Sequence, residues 1–196
     1  QMLNGLGIRK RPIVWEAPAL LVLDLQEYFL SPDSHAFVPS APAILPGILD
    51  LINAFRRASC PVIFTRHLNT PEDAGMMAVW WRDLLTRGHP HAGLVEALAA
   101  KAETVIEKSQ YDAFHQTGLE ELLQSTGVTD VVITGVMTHL CCETTARSAF
   151  MRGYRVWFAA DGTASYNPDF HLAALRNLSH GFSVPVLVSE LLEALA

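Results

Sequence analysis

Apolar residues fall in short runs with little polar alternation, separated by longer stretches in which they recur every three or four positions. Leu20-Leu21-Val22-Leu23, Pro61-Val62-Ile63-Phe64-Thr65, Val131-Val132-Ile133-Thr134, Arg155-Val156-Trp157-Phe158-Ala159 and Val184-Pro185-Val186-Leu187-Val188 are such runs, and Thr104-Val105-Ile106 is a weaker one. They suit strands covered on both faces, as in a parallel sheet. Between them, Ile44, Ile48, Leu51, Ile52 and Phe55 share one helical face. Leu94, Val95 and Leu98 mark a second helix, and Leu119, Leu122 and Leu123 a third that stops at Gly127. A fourth spans Leu140 to Met151, and Asn167-Pro168 opens a fifth as an N-cap followed by proline at the first helical position. Strand–helix alternation repeated this often predicts a three-layer α/β fold with right-handed crossovers.

Residues 67–93 break the rhythm. Pro71, Gly75, Gly88, Pro90 and Gly93 punctuate them, and Trp80 and Trp81 stand side by side. A long insertion after the carboxyl end of a strand is where α/β folds build lids and pocket walls. The two tryptophans read equally well as pocket wall and as core or oligomer-interface residues. Neither a linker nor an internal repeat divides the chain, so residues 1–196 are expected to form one domain, with 1–16 as an N-terminal arm.

Composition narrows the function classes. Half the residues are apolar and only 17% are charged, which argues for a large buried core and against disorder. Fourteen basic against twenty acidic side chains give a net charge of −6. The longest basic cluster, Arg9-Lys10-Arg11, reads as a solvated arm, so no nucleic-acid partner is expected. Ala17 to Leu23 is interrupted by Asp24 and falls far short of the ~20 residues of a spanning helix, so no membrane partner is expected either. Cysteines 60, 141 and 142 are odd in number and two are adjacent, which suggests no disulfide framework and a reducing, cytoplasmic setting. Gly5-Leu6-Gly7 follows no strand and lacks the third glycine of a dinucleotide fingerprint, so it is read as a flexible start.

Open parallel sheets bind ligands beyond the carboxyl ends of their strands, where strand order reverses. Asp24 ends the first strand, His67 follows the second, Lys108 follows the third, and the fourth runs into Gly135-Val136-Met137-Thr138-His139-Leu140-Cys141-Cys142. Thr138 is a good N-cap for the next helix, which would set Cys141 at its third position, where the helix dipole favours a thiolate and a lowered pKa. Cys142, rotated by ~100°, would point into packing. Asp24 and Lys108 read as catalytic partners of that thiol or as a structural ion pair. Phe29, Tyr111 and Phe114, near those residues in sequence, read as pocket wall or as core; Asp161-Gly162 reads as the end of the fifth strand with a cap or turn role.

Three blocks resemble the isochorismatase-like cysteine hydrolase superfamily over nearly the whole chain. They are Leu21-Val22-Leu23-Asp24-Leu25-Gln26, Glu107-Lys108-Ser109-Gln110-Tyr111-Asp112-Ala113-Phe114, and Gly135 through Ala146. The resemblance implies a Rossmann-like, six-stranded, mostly parallel sheet of order 3-2-1-4-5-6, and a catalytic triad of Asp24, Lys108 and Cys141. It also implies a cis peptide at Val136–Met137, an oxyanion hole built from the Met137 and Cys141 amides, and self-association into a homo-oligomer. The expected activity is metal-independent hydrolysis of the C–N bond of a small amide or ureide through a thioester, with no cofactor. His67, Trp80, Trp81, Tyr111, Phe29, Phe114 and His139 are carried as candidate substrate contacts.

Two departures qualify this. Metal-dependent nicotinamidases of the superfamily have Asp-x-His after the second strand, but here Arg66 stands beside Thr65 and His67, which makes a zinc site and nicotinamide less expected. His89-Pro90-His91 offers ligand types in a loop only. Thr138-His139 and the run Cys142 to Ala146 lean toward isochorismatases proper, which cleave a vinyl ether with the aspartate as acid and lack a thiol at the position of Cys141. That activity, and a non-catalytic oligomeric scaffold, are the alternatives.

Overall fold

The computed structural model describes residues 12–81 and 83–196. The Arg9-Lys10-Arg11 and Gly5-Leu6-Gly7 readings lie outside them. The elements, in chain order, are β1 (Pro18–Leu23), α1 (Glu27–Leu30), α2 (Ala41–Arg57), β2 (Val62–His67), α3 (Met77–Trp80), α4 (Glu96–Ala99) and β3 (Val105–Lys108). They continue with α5 (Leu119–Ser125), β4 (Asp130–Val136), a π-helical turn (Thr138–Cys142), α6 (Glu143–Met151), β5 (Arg155–Ala164), α7 (Pro168–Gly181), β6 (Val184–Val186) and α8 (Val188–Ala194). The six strands form one sheet in the order β3-β2-β1-β4-β5-β6, with every pairing parallel.

Two-sided burial explains the uninterrupted apolar runs. Leu20 and Val22 of β1 join Phe64, Val132 and Trp157 in a core on the α2 and α8 face. Ala19, Leu21 and Leu23 point the other way and join Ile63, Ile133 and Phe158 against Leu123 of α5, Ala146 of α6 and Leu175 of α7. Successive strand residues face opposite sides, so a strand with both faces covered carries a polar side chain only where a hydrogen-bond partner meets it, as at Thr65 and Thr134.

Several boundaries differ from the sequence reading. The Leu94–Leu98 pattern gives only the single turn α4. The strand that Asp161-Gly162 was expected to end runs on to Ala164, because a register shift in the β4–β5 pairing absorbs the extra residues. Asp161 Oδ1 instead accepts from the Val188 amide at 2.7 Å, at the start of α8. Asn167 does cap α7, its side chain accepting from the Phe170 amide.

Register fixes what stands at the site edge. Leu23 pairs with Gly135 and His67 with Lys108, so the ends of β1, β2, β3 and β4 arrive at one level. The reversal of strand order lies between β1 and β4. There the backbones are so close that a Cβ on Gly135, whose φ is +110°, would lie 2.1 Å from the Leu23 carbonyl oxygen. Only glycine fits both the angle and the gap.

Gly135→Ala is therefore expected to lower stability by more than about 3 kcal/mol or to prevent folding. Gly118→Ala, where an added Cβ meets nothing within 4 Å, should leave the melting temperature nearly unchanged. Thermal denaturation of the two variants side by side checks this.

Candidate active site

Asp24 follows β1 in a left-handed conformation (φ 53°) that short polar side chains tolerate best among non-glycine residues. Its amide donates to Thr65 Oγ1 at 3.2 Å, and that hydroxyl donates to Asp24 Oδ1 at 2.6 Å. The other carboxylate oxygen, Oδ2, lies 2.7 Å from Lys108 Nζ, and both side chains are 0% exposed. The ammonium completes its three bonds by donating to the Gln110 carbonyl at 2.9 Å and to Cys141 Sγ at 3.4 Å. Acid, ammonium and thiol, drawn from three strand ends, thus meet in one buried contact.

The turn carrying the thiol is not the expected helix N-terminus. Residues Thr138–Cys142 form a π-helical turn, with the Cys142 amide donating to Met137 O at 3.2 Å, and α6 starts only at Glu143. Thr138 caps nothing; its hydroxyl is 2.9 Å from His171 Nδ1. The expected fall in thiol pKa is overturned as well. Burial, joined by the Asp24 charge, outweighs Lys108 and pushes the Cys141 thiol up to about 12. The dipole of a single turn does not offset the loss of water around a buried sulfur. Burial acts on Asp24 in the same sense, yet Lys108, His67 and Thr65 together hold its carboxyl below the usual range. Lys108 is held above its ordinary value: burial opposes this, and Asp24 and Cys141 overcome it. At neutral pH the resting site therefore holds a carboxylate, an ammonium and a neutral thiol.

Cys141 and Met137 line a cavity of about 180 Å³, walled by Phe29, Trp81, Leu85 and Tyr111. Trp81 Nε1 donates to Tyr111 Oη at 2.8 Å, bracing two of those walls. The Val136–Met137 peptide is cis, as the resemblance implies. Cys142 is fully buried in the core on the other side of the turn. Three candidate contacts fall elsewhere. Trp80, at the end of α3, is 74% exposed and does not line the cavity, whereas its neighbour Trp81, itself part-exposed, does. Phe114 stacks on Tyr154 inside the core. His139 lies flat on Phe170, ring centroids 4.5 Å apart, with Nδ1 2.6 Å from Ser165 Oγ.

His67 does line the cavity, with Nε2 2.9 Å from Asn69 Oδ1. Burial first, and then the Lys108 ammonium, push its imidazole down to about 4. Arg66 pairs with Glu107 instead of facing the site. Among the described residues no group of three or more His, Cys, Asp or Glu side chains is placed to hold a metal ion. All three cysteines are free thiols, and no helix among the described residues is long and apolar enough to cross a membrane.

Sequence reasoning missed several residues that shape the site. Gln26 accepts from the His67 amide through Oε1 at 2.7 Å and donates through Nε2 to the carbonyls of His67 and Ala92. It follows Asp24 in the first-strand segment, but a glutamine has no titration signal to mark its role. Thr65 lay inside a strand run and looked like any β-branched residue. Tyr28, His35 and Asp83 were unremarked because they meet only when α1, the loop after it and the 67–93 insertion come together.

A family profile described as "Isochorismatase domain" matches residues 18–190. The chain belongs to the isochorismatase family. It is 41% identical over 180 residues to Nicotinamidase 3 of Arabidopsis thaliana, covering 89% of this chain and 87% of that protein. It is 33% identical over 179 residues to enterobactin synthase component B of Escherichia coli K12, covering 90% of this chain but 62% of that protein. Among solved structures, a cysteine hydrolase from Pseudomonas syringae superposes with a TM-score of 0.89 at 27% identity, over 96% of both chains. As an isochorismatase-like hydrolase, the chain combines the family fold with a thiol at its cavity.

His67 gives a checkable consequence. The unfolded chain takes up a proton near the ordinary value of 6.5. The folded chain resists until about 4, so stability should fall as pH drops through that window. The gap corresponds to roughly 3 kcal/mol. Urea unfolding between pH 7 and 4 should show this slope in the parent and a shallower one in His67→Gln.

Proposed function

We propose that this hydrolase is a metal-independent cysteine amidase that cleaves the C–N bond of a small amide or ureide through a thioester. The observation that supports it best is the contact of Asp24, Lys108 and Cys141 beside a cavity of about 180 Å³. A thiol with a pKa near 12 is no nucleophile by itself at neutral pH and needs an adjacent base. Asp24, ionised and fully buried, is that base.

In this reading the carbonyl carbon of the substrate enters beside Sγ. Asp24 removes the thiol proton as the sulfur attacks, and the new thiolate charge develops next to Lys108. The Met137 and Cys141 amides receive the oxyanion, an interaction worth about 2.7–4 kcal/mol per donor in other hydrolases. Collapse of the tetrahedral intermediate breaks the C–N bond, and Asp24 returns its proton to the departing nitrogen. Water then gives a proton to Asp24 and its hydroxide attacks the thioester. The acid product leaves, and the proton goes back to the sulfur.

The aromatic walls suit a flat molecule, and the likeness to Nicotinamidase 3 keeps planar aromatic carboxamides within the substrate class. The Arg66 departure, which makes nicotinamide less expected, bears only on metal-dependent binding, and the proposed mechanism uses no metal. The vinyl ether reading needs a protonated Asp24 as acid, whereas Lys108 keeps that carboxyl ionised. Within the 67–93 insertion, His67, Asn69, Trp81 and Leu85 line the cavity and support its role as pocket wall.

Cys141→Ala should reduce ammonia release from small aromatic amides by at least about a thousandfold, whereas Cys142→Ala should keep turnover and lose stability only. Acid quenching during turnover should trap a mass increase equal to the acyl group, on Cys141. Equal loss in two folded variants, or label on another residue, would overturn the assignment. Asp24→Asn should remove the acidic limb of the pH–rate profile, because the carboxylate must be ionised for attack.

A further inference from the structure

One polar cluster on the cavity wall takes no part in the steps above. Tyr28, on α1, donates its hydroxyl to Asp83 Oδ1 at 2.8 Å. His35 Nε2 lies 2.7 Å from the same oxygen and 3.1 Å from the phenol. All three residues line the cavity into which Cys141 opens. The phenol is itself held in place, edge-on to the rings of Phe29 and His89.

Two donors converge on Oδ1, and Oδ2 has no donor among the described residues. Burial tends to raise the Asp83 pKa, but the bonds from Tyr28 and His35 hold it below the usual range. The carboxylate is therefore charged and fixed in orientation, and its Oδ2, on a side chain 42% exposed, is left without a protein partner among the described residues. The donated Tyr28 and His35 protons are spent on Asp83, so what the cluster still offers a visitor is acceptors: Asp83 Oδ2 and the lone pair of the phenol. Much of the remaining wall, Phe29, Met77, Trp81 and Leu85, is apolar, and His67, Asn69 and Tyr111 line the same cavity. In so small a cavity, a substrate whose carbonyl reaches Sγ also fills the space against the remaining walls.

We propose that Tyr28, His35 and Asp83 form the subsite for the far end of the substrate, and that it selects a nitrogen carrying a proton, cationic above all, and disfavours a carboxylate there. The inference rests on the amidase reading and narrows its substrate class to amides bearing a remote amino or ammonium group. A tether holding residue 83 to α1 would need no charge. A fixed carboxylate with one oxygen that no described residue covers is what recognition of a cation uses.

The test compares kcat/KM for meta-(aminomethyl)benzamide, benzamide and meta-carboxybenzamide in the parent, Asp83→Asn and Tyr28→Phe. The parent should prefer the cationic amide over benzamide by about tenfold or more and rank the carboxylate last. Asp83→Asn should bring the three near parity, and Tyr28→Phe should shrink the preference by freeing the carboxylate. An unchanged order in a folded Asp83→Asn protein overturns the proposal while leaving the amidase reading intact. If none of the amides is cleaved, calorimetry on Cys141→Ala reads the subsite alone. Preferential binding of the cationic probe, lost on adding Asp83→Asn, supports it; equal binding, or binding of none, overturns it.

Discussion

Everything at this site depends on two opposite charges held out of water. Asp24 and Lys108 are both fully buried and 2.7 Å apart. Removing either would strand the other, at a cost of several kcal/mol. The fold meets that demand with full coordination: Thr65 covers one carboxylate oxygen, and the ammonium spends its remaining hydrogens on a carbonyl and on the sulfur. The all-parallel sheet makes this possible, because it delivers the ends of four neighbouring strands to the same edge.

Burial, more than the ion pair, sets the state of the sulfur. A depressed thiol pKa, the usual mark of an activated cysteine, is absent, since burial dominates at this depth. The proton instead has a fixed destination in a carboxylate that the same lysine keeps ionised.

The fold was legible because its signal is repeated. Each strand announces itself by a two-sided apolar run, and strand ends share one edge, so Asp24, Lys108 and Cys141 could be placed near one another from residue type and position, as they are. Local geometry around Cys141 was not legible. A threonine two residues after a strand looks like a cap, and nothing in Thr138-His139-Leu140 distinguishes a π-helical turn from an α-helical one. Side-chain direction was equally hidden: Trp80 and Trp81 are identical in kind and adjacent, yet one faces solvent and the other the cavity. Tyr28, His35 and Asp83 required tertiary structure outright, since they lie on separate segments with no shared period.

The carboxamide of Gln26 has a wider implication. It holds the backbone at His67 and at Ala92 simultaneously, the two feet of the excursion that walls the cavity. An arch pinned at both footings by one residue of the neighbouring segment can change its span without disturbing the ground it stands on. Asp24 and Lys108 stand at strand ends, while Asn69, Met77, Trp81 and Leu85 of the arch line the cavity, so that much of the wall belongs to a segment whose two footings are tied to a single side chain.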